Sequence, residues 1–130
     1  MDNQKPVQYL LKKDKYVGAR GDNSHFLDIY CSRCNQHLLL YQKDGKGRLL
    51  RMYLDRIFEP KELSLLETKV HSKKDMPGLK CFRCGSLIGV PMIYELEKRL
   101  AYRLIYGMFV KKKSEGIYPP NENGKQRKED

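Results

Sequence analysis

Two matched stretches, Ile29-Tyr-Cys-Ser-Arg-Cys-Asn-Gln-His-Leu38 and Leu79-Lys-Cys-Phe-Arg-Cys-Gly-Ser-Leu-Ile88, decide the fold of this chain. Each holds two cysteines in Cys-x-x-Cys spacing between apolar residues, and together they contain all 4 cysteines of the sequence. One such turn presents two sulfurs at neighbouring corners of a tetrahedron, so two turns complete a four-thiolate site. The predicted ligands of one structural Zn²⁺ are Cys31, Cys34, Cys81 and Cys84.

Paired cysteines also occur in redox-active dithiols, in iron centres and as unrelated buried thiols. Two pairs with matched flanks favour zinc, although another thiolate-binding metal is the nearest alternative. A site with four protein ligands has no open position for water, which predicts a structural rather than a catalytic ion. His37, three residues after Cys34, is a candidate for a spare ligand or for a hydrogen bond to a cysteine sulfur.

The length and composition suit a small domain that needs such a staple. The chain has 130 residues, and its hydrophobic content lies mainly within residues 26–110. A core of this size is marginally stable, because a small domain buries a smaller share of its surface. The first residues are polar and no apolar run is long enough to cross a bilayer, so we expect no membrane association. We expect a cytoplasmic location, or a nuclear one in a eukaryote, where reducing conditions favour metal ligation over disulfides.

The pattern predicts a mainly β fold: small zinc-pinned antiparallel sheets from two strand–knuckle–strand halves, with at most a short helix. The predicted strands cover residues 26–30, 38–42, 48–58, 87–94 and 100–110. An Asp-Gly turn within residues 43–47 predicts a hairpin between the second and third of these. Pro60 opens a predicted short helix over residues 61–67.

Three regions are expected along the chain. Residues 1–22 are predicted to form a loosely ordered basic arm, residues 23–112 the zinc-binding β domain, and residues 113–130 a disordered tail. The tail is rich in Lys, Glu, Pro, Asn and Gly, a composition that buries too little apolar surface to fold.

A net charge of +10, from 26 basic and 16 acidic residues, favours an acidic partner such as nucleic acid. The predicted hairpin interleaves cations with aromatic rings, an arrangement in which phosphates contact the cations and bases stack on the rings. The candidate nucleic-acid-binding residues are Lys43, Lys46, Arg48, Arg51 and Tyr53. Strand alternation separates Arg51 and Tyr53 from Arg56, so these charges do not all share one face. The run Lys111-Lys-Lys113 could add salt-sensitive affinity. Ordinary solvated charge or a protein contact is the other interpretation.

The stretch Cys-Phe-Arg-Cys-Gly-Ser-Leu-Ile-Gly-Val that starts at Cys81 resembles the closing half of Yippee-type domains, together with Tyr94-Glu95 and Tyr102-Arg-Leu-Ile-Tyr-Gly-Met-Phe-Val110. Residues 31–38 and Arg51-Met-Tyr-Leu54 look similar to the opening half. The resemblance covers roughly residues 26–112 and implies the zinc-pinned β-tent scaffold. That scaffold is shared by methionine sulfoxide reductase B, the ligand-binding domain of cereblon and the RNA-binding tail domain of some antiviral helicases.

We find no arrangement of residues in the sequence that predicts catalysis. The 3 histidines are scattered and the carboxylates are not paired for acid–base chemistry. The reductases with this scaffold use a cysteine beyond the metal set, and the cereblon pocket is built from tryptophans; this chain has 4 cysteines and no tryptophan. The predicted function is therefore a non-enzymatic zinc-stabilised module that binds nucleic acid. The alternative is a protein-interaction adaptor of Yippee type, and no small-molecule substrate is identified.

Overall fold

Antiparallel strands dominate the computed structural model, which describes residues 5–120. The strands of this range are β1 (Val7–Gln8), β2 (Ser24–Cys31), β3 (His37–Asp44), β4 (Arg51–Tyr53), β5 (Ile57–Glu59), β6 (Leu79–Lys80), β7 (Leu87–Tyr94), β8 (Arg99–Leu104), β9 (Phe109–Ser114) and β10 (Ile117–Tyr118). Its α-helices are α1 (Lys15–Ala19), α2 (Lys61–Ser64) and α3 (Leu66–Lys69), and 3₁₀ turns lie at Leu54–Arg56 and Lys73–Asp75. The predicted mainly β fold is confirmed.

Within residues 5–120 the strands form two four-stranded sheets and one two-stranded sheet. The first sheet has the order β5-β3-β2-β9, and the second has the order β4-β8-β7-β6. Residues 31–34, the first knuckle, connect β2 to β3, and residues 81–84, the second knuckle, connect β6 to β7. Each sheet thus contains one of the two predicted strand–knuckle–strand halves.

One hydrophobic cluster joins the two sheets. In β2, Leu27 and Ile29 are buried in it together with Cys31, since alternate residues of a strand point to the same face. From the second sheet, Ile88 and Tyr102 enter the same cluster. Burial of apolar surface stabilises by roughly 25 cal/mol per Å², so separating the sheets would expose both inner faces to water.

The predicted strand over residues 48–58 is wrong as a single strand, and so is the hairpin. β4 pairs with β8 in the second sheet, while β5 pairs with β3 in the first. The 3₁₀ turn at Leu54–Arg56 makes the crossing, and the Arg56 side chain within it is fully buried. Met52 enters the core before the crossing, Leu54 at its start and Ile57 after it, so the core positions change from even to odd numbers there. Residues 48–58 contain no Gly or Pro that would mark this break in the sequence.

The predicted strand over residues 100–110 is likewise divided. β8 belongs to the second sheet and β9 to the first, and residues 105–108 carry the chain between them. Gly107 lies in this turn with a φ of 84°, a left-handed conformation that favours glycine. The predicted strand at residues 87–94 coincides with β7, and the predicted helix after Pro60 coincides with α2 and α3.

The two ends of the described range are paired with each other. Val7 is opposite Tyr118 and Gln8 is opposite Ile117, so β1 and β10 form the two-stranded sheet. β1 and α1 lie in the segment that we predicted to be a loosely ordered arm, and β10 lies with the last two residues of β9 in the segment that we predicted to be a disordered tail. Residues 1–4 and 121–130, the outer parts of both segments, lie outside the described range. The domain boundaries at residues 22 and 112 stay predictions.

Candidate metal centre and basic cavity

The four cysteine sulfurs form one cluster. All of them lie within 4.8 Å of one another. Across the two knuckles, Cys31 Sγ lies 3.6 Å from Cys84 Sγ, and Cys34 Sγ lies 3.6 Å from Cys81 Sγ. Sulfurs that bind one tetrahedral Zn²⁺ at about 2.3 Å are about 3.8 Å apart. The cluster therefore has dimensions that could hold one metal ion.

The two knuckles have the same backbone structure. The N–H of Asn35 donates to Cys31 O at 2.9 Å, and the N–H of Gly85 donates to Cys81 O at 2.8 Å. Both donors have left-handed backbone, with φ of 65° at Asn35 and 81° at Gly85. Glycine and asparagine tolerate this conformation best. These two residues close the turns, and the sequence analysis had not singled them out.

The pKa values of two of the thiols, Cys34 and Cys84, are shifted in opposite directions. The hydroxyl of Ser86, 3.1 Å from Cys84 Sγ, lowers the pKa of the Cys84 thiol to about 6. Desolvation, with smaller contributions from the other thiols, raises the pKa of Cys34 to about 11. A divalent cation would stabilise all four as thiolates, since it supplies the positive charge that crowded sulfurs require.

His37 takes neither role that we considered for it. Its Nε2 lies 2.8 Å from Asp28 Oδ1, and its ring contacts the ring of Tyr30 with centroids 5.1 Å apart. In the part of the chain that the structure describes, the cluster of possible metal ligands contains only the four cysteines. His37 therefore belongs to a polar contact on the first sheet.

The predicted basic residues line one concave cavity of about 370 Å³. All five candidates border it, although they do not form the hairpin that suggested them. The cavity is lined by Lys43, Lys46, Arg48, Arg51 and Tyr53, and also by Arg20 and Tyr94, which the sequence had not indicated. Arg20 follows α1 and Tyr94 ends β7, so only the folded chain brings them to the others.

Two cations on the cavity wall are engaged by the protein itself. Lys43 is buried, and its Nζ donates to the carbonyls of Gly45 at 2.9 Å and of Lys46 at 3.2 Å. Arg20 donates to both carboxylate oxygens of Glu97, at 2.8 and 2.9 Å. These contacts hold the loop after β3 and the segment after α1 in place.

Three other cations, Lys46, Arg48 and Arg51, have no carboxylate partner within residues 5–120. Lys46 and Arg48 are exposed. Arg51 places its guanidinium 4.3 Å from the centroid of the Tyr94 ring, and its buried Nε has no hydrogen-bond partner in the described range. The carboxylate of Asp44, which also lines the cavity, accepts from Arg56 Nε at 2.8 Å. The cavity is therefore strongly cationic.

Tyr53 has a ring that is largely covered by the protein. Arg99 lies 3.8 Å from its centroid, and the Tyr94 ring meets it edge-on at 5.9 Å. Its backbone N–H donates to the hydroxyl of Tyr41 at 2.8 Å. Tyr53 thus supports the cavity wall, and Arg51 and Tyr94 line the cavity in contact with each other.

Comparison with known protein families, with curated proteins and with solved structures finds no match for this chain. Among the helices of residues 5–120, none combines the length and the apolar character that crossing a bilayer requires. The interpretation of the site therefore depends on its own geometry.

Proposed function

We propose that this chain is a non-enzymatic, zinc-stabilised module that binds single-stranded nucleic acid in the basic cavity. The observation that supports the proposal most is the convergence of Lys46, Arg48 and Arg51 around one cavity beside the Tyr94 ring. Single strands are held by cations that contact phosphates and by planar groups on which bases stack. Both kinds of group are present here.

The cavity divides these roles among its residues. Lys46 and Arg48 are exposed at its rim and would contact phosphate oxygens. The guanidinium of Arg51, which lies 4.3 Å from the centroid of the Tyr94 ring, would contact a base in the cavity. A volume of about 370 Å³ is at the lower end for ligand sites, which suits one nucleotide unit rather than a duplex.

Zinc would maintain this cavity without touching it. Lys43 and Asp44 come from β3 of the first sheet, whereas Arg51 belongs to β4 of the second sheet. The wall therefore exists only while the two sheets stay together. The cysteine cluster spans the same two sheets, so a bound ion would couple metal content to nucleic-acid affinity.

A Yippee-type protein adaptor is the second candidate, and one observation favours it. The side chains of Phe82 and Tyr106 are 71% and 88% exposed, respectively. Phe82 lies in the second knuckle, and the turn of Tyr106 contacts the first, where Ser32 Oγ donates to Gly107 O at 2.8 Å. Exposed rings beside the cysteine cluster would suit a protein partner, because aromatic residues often anchor interfaces.

Fluorescence anisotropy with labelled single- and double-stranded RNA and DNA tests the first candidate. The variant K46A/R48A should bind single strands about tenfold more weakly and show a smaller salt slope, since phosphate contacts release counterions. The matched control K73A/K74A removes the same charge from a 3₁₀ turn that does not line the cavity. Equal losses in both variants would contradict the cavity as the binding site.

A pulldown performed with and without nuclease separates the two candidates. If the chain is an adaptor, a stoichiometric protein partner should survive nuclease and be lost in F82A/Y106A. If it binds nucleic acid, the bound material should disappear with nuclease and persist in F82A/Y106A.

A further inference from the structure

A second group of cations lies on the first sheet, beside the cavity. β2 pairs with β3 on one side and with β9 on the other. Directly opposed residues of paired strands point to the same face of a sheet. His25 is opposite Lys43 on β3, whereas Leu27 is opposite Lys113 and Ile29 is opposite Lys111 on β9. Lys43, Lys111 and Lys113 therefore share the inner face of the sheet with Leu27.

The inner face is open along β9. Leu27 and Ile29 of β2 are buried against the second sheet, but Lys111 and Lys113 are exposed. β9 is an edge strand of the first sheet, and the four residues from Val110 to Lys113 are exposed. The intervening residue, Lys112, is opposite Asp28 on the outer face, where its Nζ lies 5.2 Å from the ring centroid of Tyr30. The lysine run is thus divided between two faces.

The inner-face cations repel one another. Burial lowers the pKa of His25, and the positive charges of Lys43, Lys111 and Lys113 lower it further. Burial and then Lys111 lower the pKa of Lys43 as well. The carboxylate that opposes both shifts is Asp44, which is already paired with Arg56 at 2.8 Å. An added polyanion would relieve this repulsion.

Lys43 connects this group to the cavity, because it lines the cavity wall and faces His25 across the sheet. Lys111 and Lys113 are two residues apart on a strand, which separates their Cα atoms by about 7 Å. That spacing suits neighbouring phosphates of an extended strand. The exposed cations of β9 therefore lie on the same face of the sheet as Lys43, a residue of the cavity wall.

We propose that Lys111 and Lys113 form a second phosphate-binding subsite, which extends the cavity and holds the backbone of the same single strand of nucleic acid. The inference rests on the proposed function, and it adds a prediction that the cavity alone does not make. A short oligonucleotide would occupy only the cavity, whereas a longer one would also reach β9.

Three single variants, K111Q, K112Q and K113Q, test the subsite with labelled oligouridylate and oligothymidylate of 3 and 12 nucleotides. Each variant removes one positive charge from β9, and the three positions are consecutive. K112Q is the matched control, because Lys112 lies on the outer face of the sheet. The 12-mer should bind K111Q and K113Q about threefold or more weakly, with the salt slope reduced by about 0.7 for each lost contact. K112Q should stay within twofold of the unmodified protein, and the 3-mer should bind all four proteins alike. Thermal melting checks that every variant is folded.

Equal weakening by all three variants would overturn the subsite, since it would show only a general effect of charge. So would displacement of the 12-mer by polyglutamate or by anionic phosphatidylserine vesicles at equal charge, because either would show an unselective cationic patch. Normal 12-mer binding by K111Q and K113Q alongside weakened binding by K46A/R48A would remove the subsite and leave the proposed function intact. Failure of both oligonucleotides to bind the unmodified protein would remove both proposals.

Discussion

Two regions of the molecule connect the first sheet to the second, and they are built in different ways. At one end, four cysteines on two similar turns place their sulfurs within 4.8 Å of one another. Near the other end, Arg56 donates to Asp44 and Asp14, and Arg99 donates to Asp55 at 2.7 Å. The planar group of Arg99 also lies between two aromatic rings, 3.7 Å from Tyr16 and 3.8 Å from Tyr53.

The difference concerns both energy and distance along the chain. A structural zinc ion supplies on the order of 10 kcal/mol of folding free energy, because its site does not exist in the unfolded chain. Buried ion pairs contribute less, since the loss of hydration offsets much of their attraction. The cysteine cluster is made from two local turns, whereas Arg56 contacts residues that lie 12 and 42 positions away. We therefore expect metal binding by the cysteine cluster to determine whether the chain folds. We expect the ion pairs of Arg56 and Arg99, the ionic end of the molecule, to make a smaller contribution to its stability.

The largest effect should come from removal of one cysteine. We expect C81S, and equally the substitution of any other cysteine of the cluster by serine, to lose the metal and to unfold or aggregate. The lost free energy, on the order of 10 kcal/mol, is comparable to the whole stability of a domain. Elemental analysis should find one zinc per chain in the unmodified protein and none in C81S. Thermal unfolding under reducing conditions should show a cooperative transition for the unmodified protein and none for C81S.

The control is R83A, which changes an exposed residue of the same knuckle and should leave the metal and the melting temperature unchanged. Retention of a cooperative transition after treatment with a strong chelator would contradict the structural role of the cysteines.

A smaller loss should follow from disruption of the ionic end. R56M removes a side chain that is 1% exposed and leaves Asp44 without its charged partner. Truncation of one member of a buried ion pair costs about 3–5 kcal/mol, so urea unfolding should show a large shift in midpoint while zinc stays bound. R48M, at the exposed rim of the cavity, should change stability by no more than about 0.5 kcal/mol. Equal shifts in the two variants would show that the network is not a stabilising element.

D14N should release α1 without unfolding the rest. The Asp14 carboxylate accepts two hydrogen bonds from the Arg56 guanidinium, at 2.7 and 3.0 Å. These hydrogen bonds lower the pKa of Asp14 to about 2. Since this carboxylate is partly exposed, we expect a loss of only about 1 kcal/mol. Hydrogen exchange at pH 7 should be about fivefold faster at the amides of Val17 and Arg20. The exposed pair of Glu95 and Lys98 offers the control E95Q, which should leave those amides unchanged.

The smallest expected effect is a pH dependence of binding. The pKa of His25 is lowered by burial and by Lys43, Lys111 and Lys113, against the opposing effect of Asp44. A polyanion bound beside these groups should raise this pKa, so the complex should take up a proton, and affinity should increase as the pH falls from the pKa of His25 in the complex toward its pKa in the free protein. We expect a gain of about two- to threefold for the 12-mer, measured by anisotropy, and an upward shift of the His25 titration in NMR spectra. H25Q should remove the gain and H71Q should keep it. An unchanged His25 titration in the complex would place the strand elsewhere.

Stability should respond to His25 in the opposite direction from binding. Its pKa is lower in the folded chain than in the unfolded chain, so the unfolded chain binds the proton more readily. The stabilisation from neutral His25 is therefore present above the unfolded pKa and is lost as the pH falls toward the folded value. Measuring both affinity and the free energy of unfolding against pH therefore separates a local effect on binding from a general loss of structure.

The sequence alone determined the features that depend on local spacing. The two Cys-x-x-Cys turns, the strand over residues 87–94 and the short helices after Pro60 each arise from neighbouring residues, and the structure contains all of them. A turn of four residues has few conformations that bring two sulfurs together. The cluster of four cysteines could therefore be predicted without knowledge of the fold.

Only the tertiary structure decided where the chain changes sheets and which side chains meet. Residues 48–58 and 100–110 cross between the sheets, and the core positions change phase at each crossing. Met52 enters the core before the first crossing, Leu54 at its start and Ile57 after it. Tyr102 and Leu104 enter the core before the second crossing, and Phe109 packs against it afterwards. The burial of Arg56, the covered ring of Tyr53 and the arrival of Arg20 at the cavity depend on partners far away in sequence. Contacts of this kind are set by packing of the whole chain, and a local pattern carries no information about them.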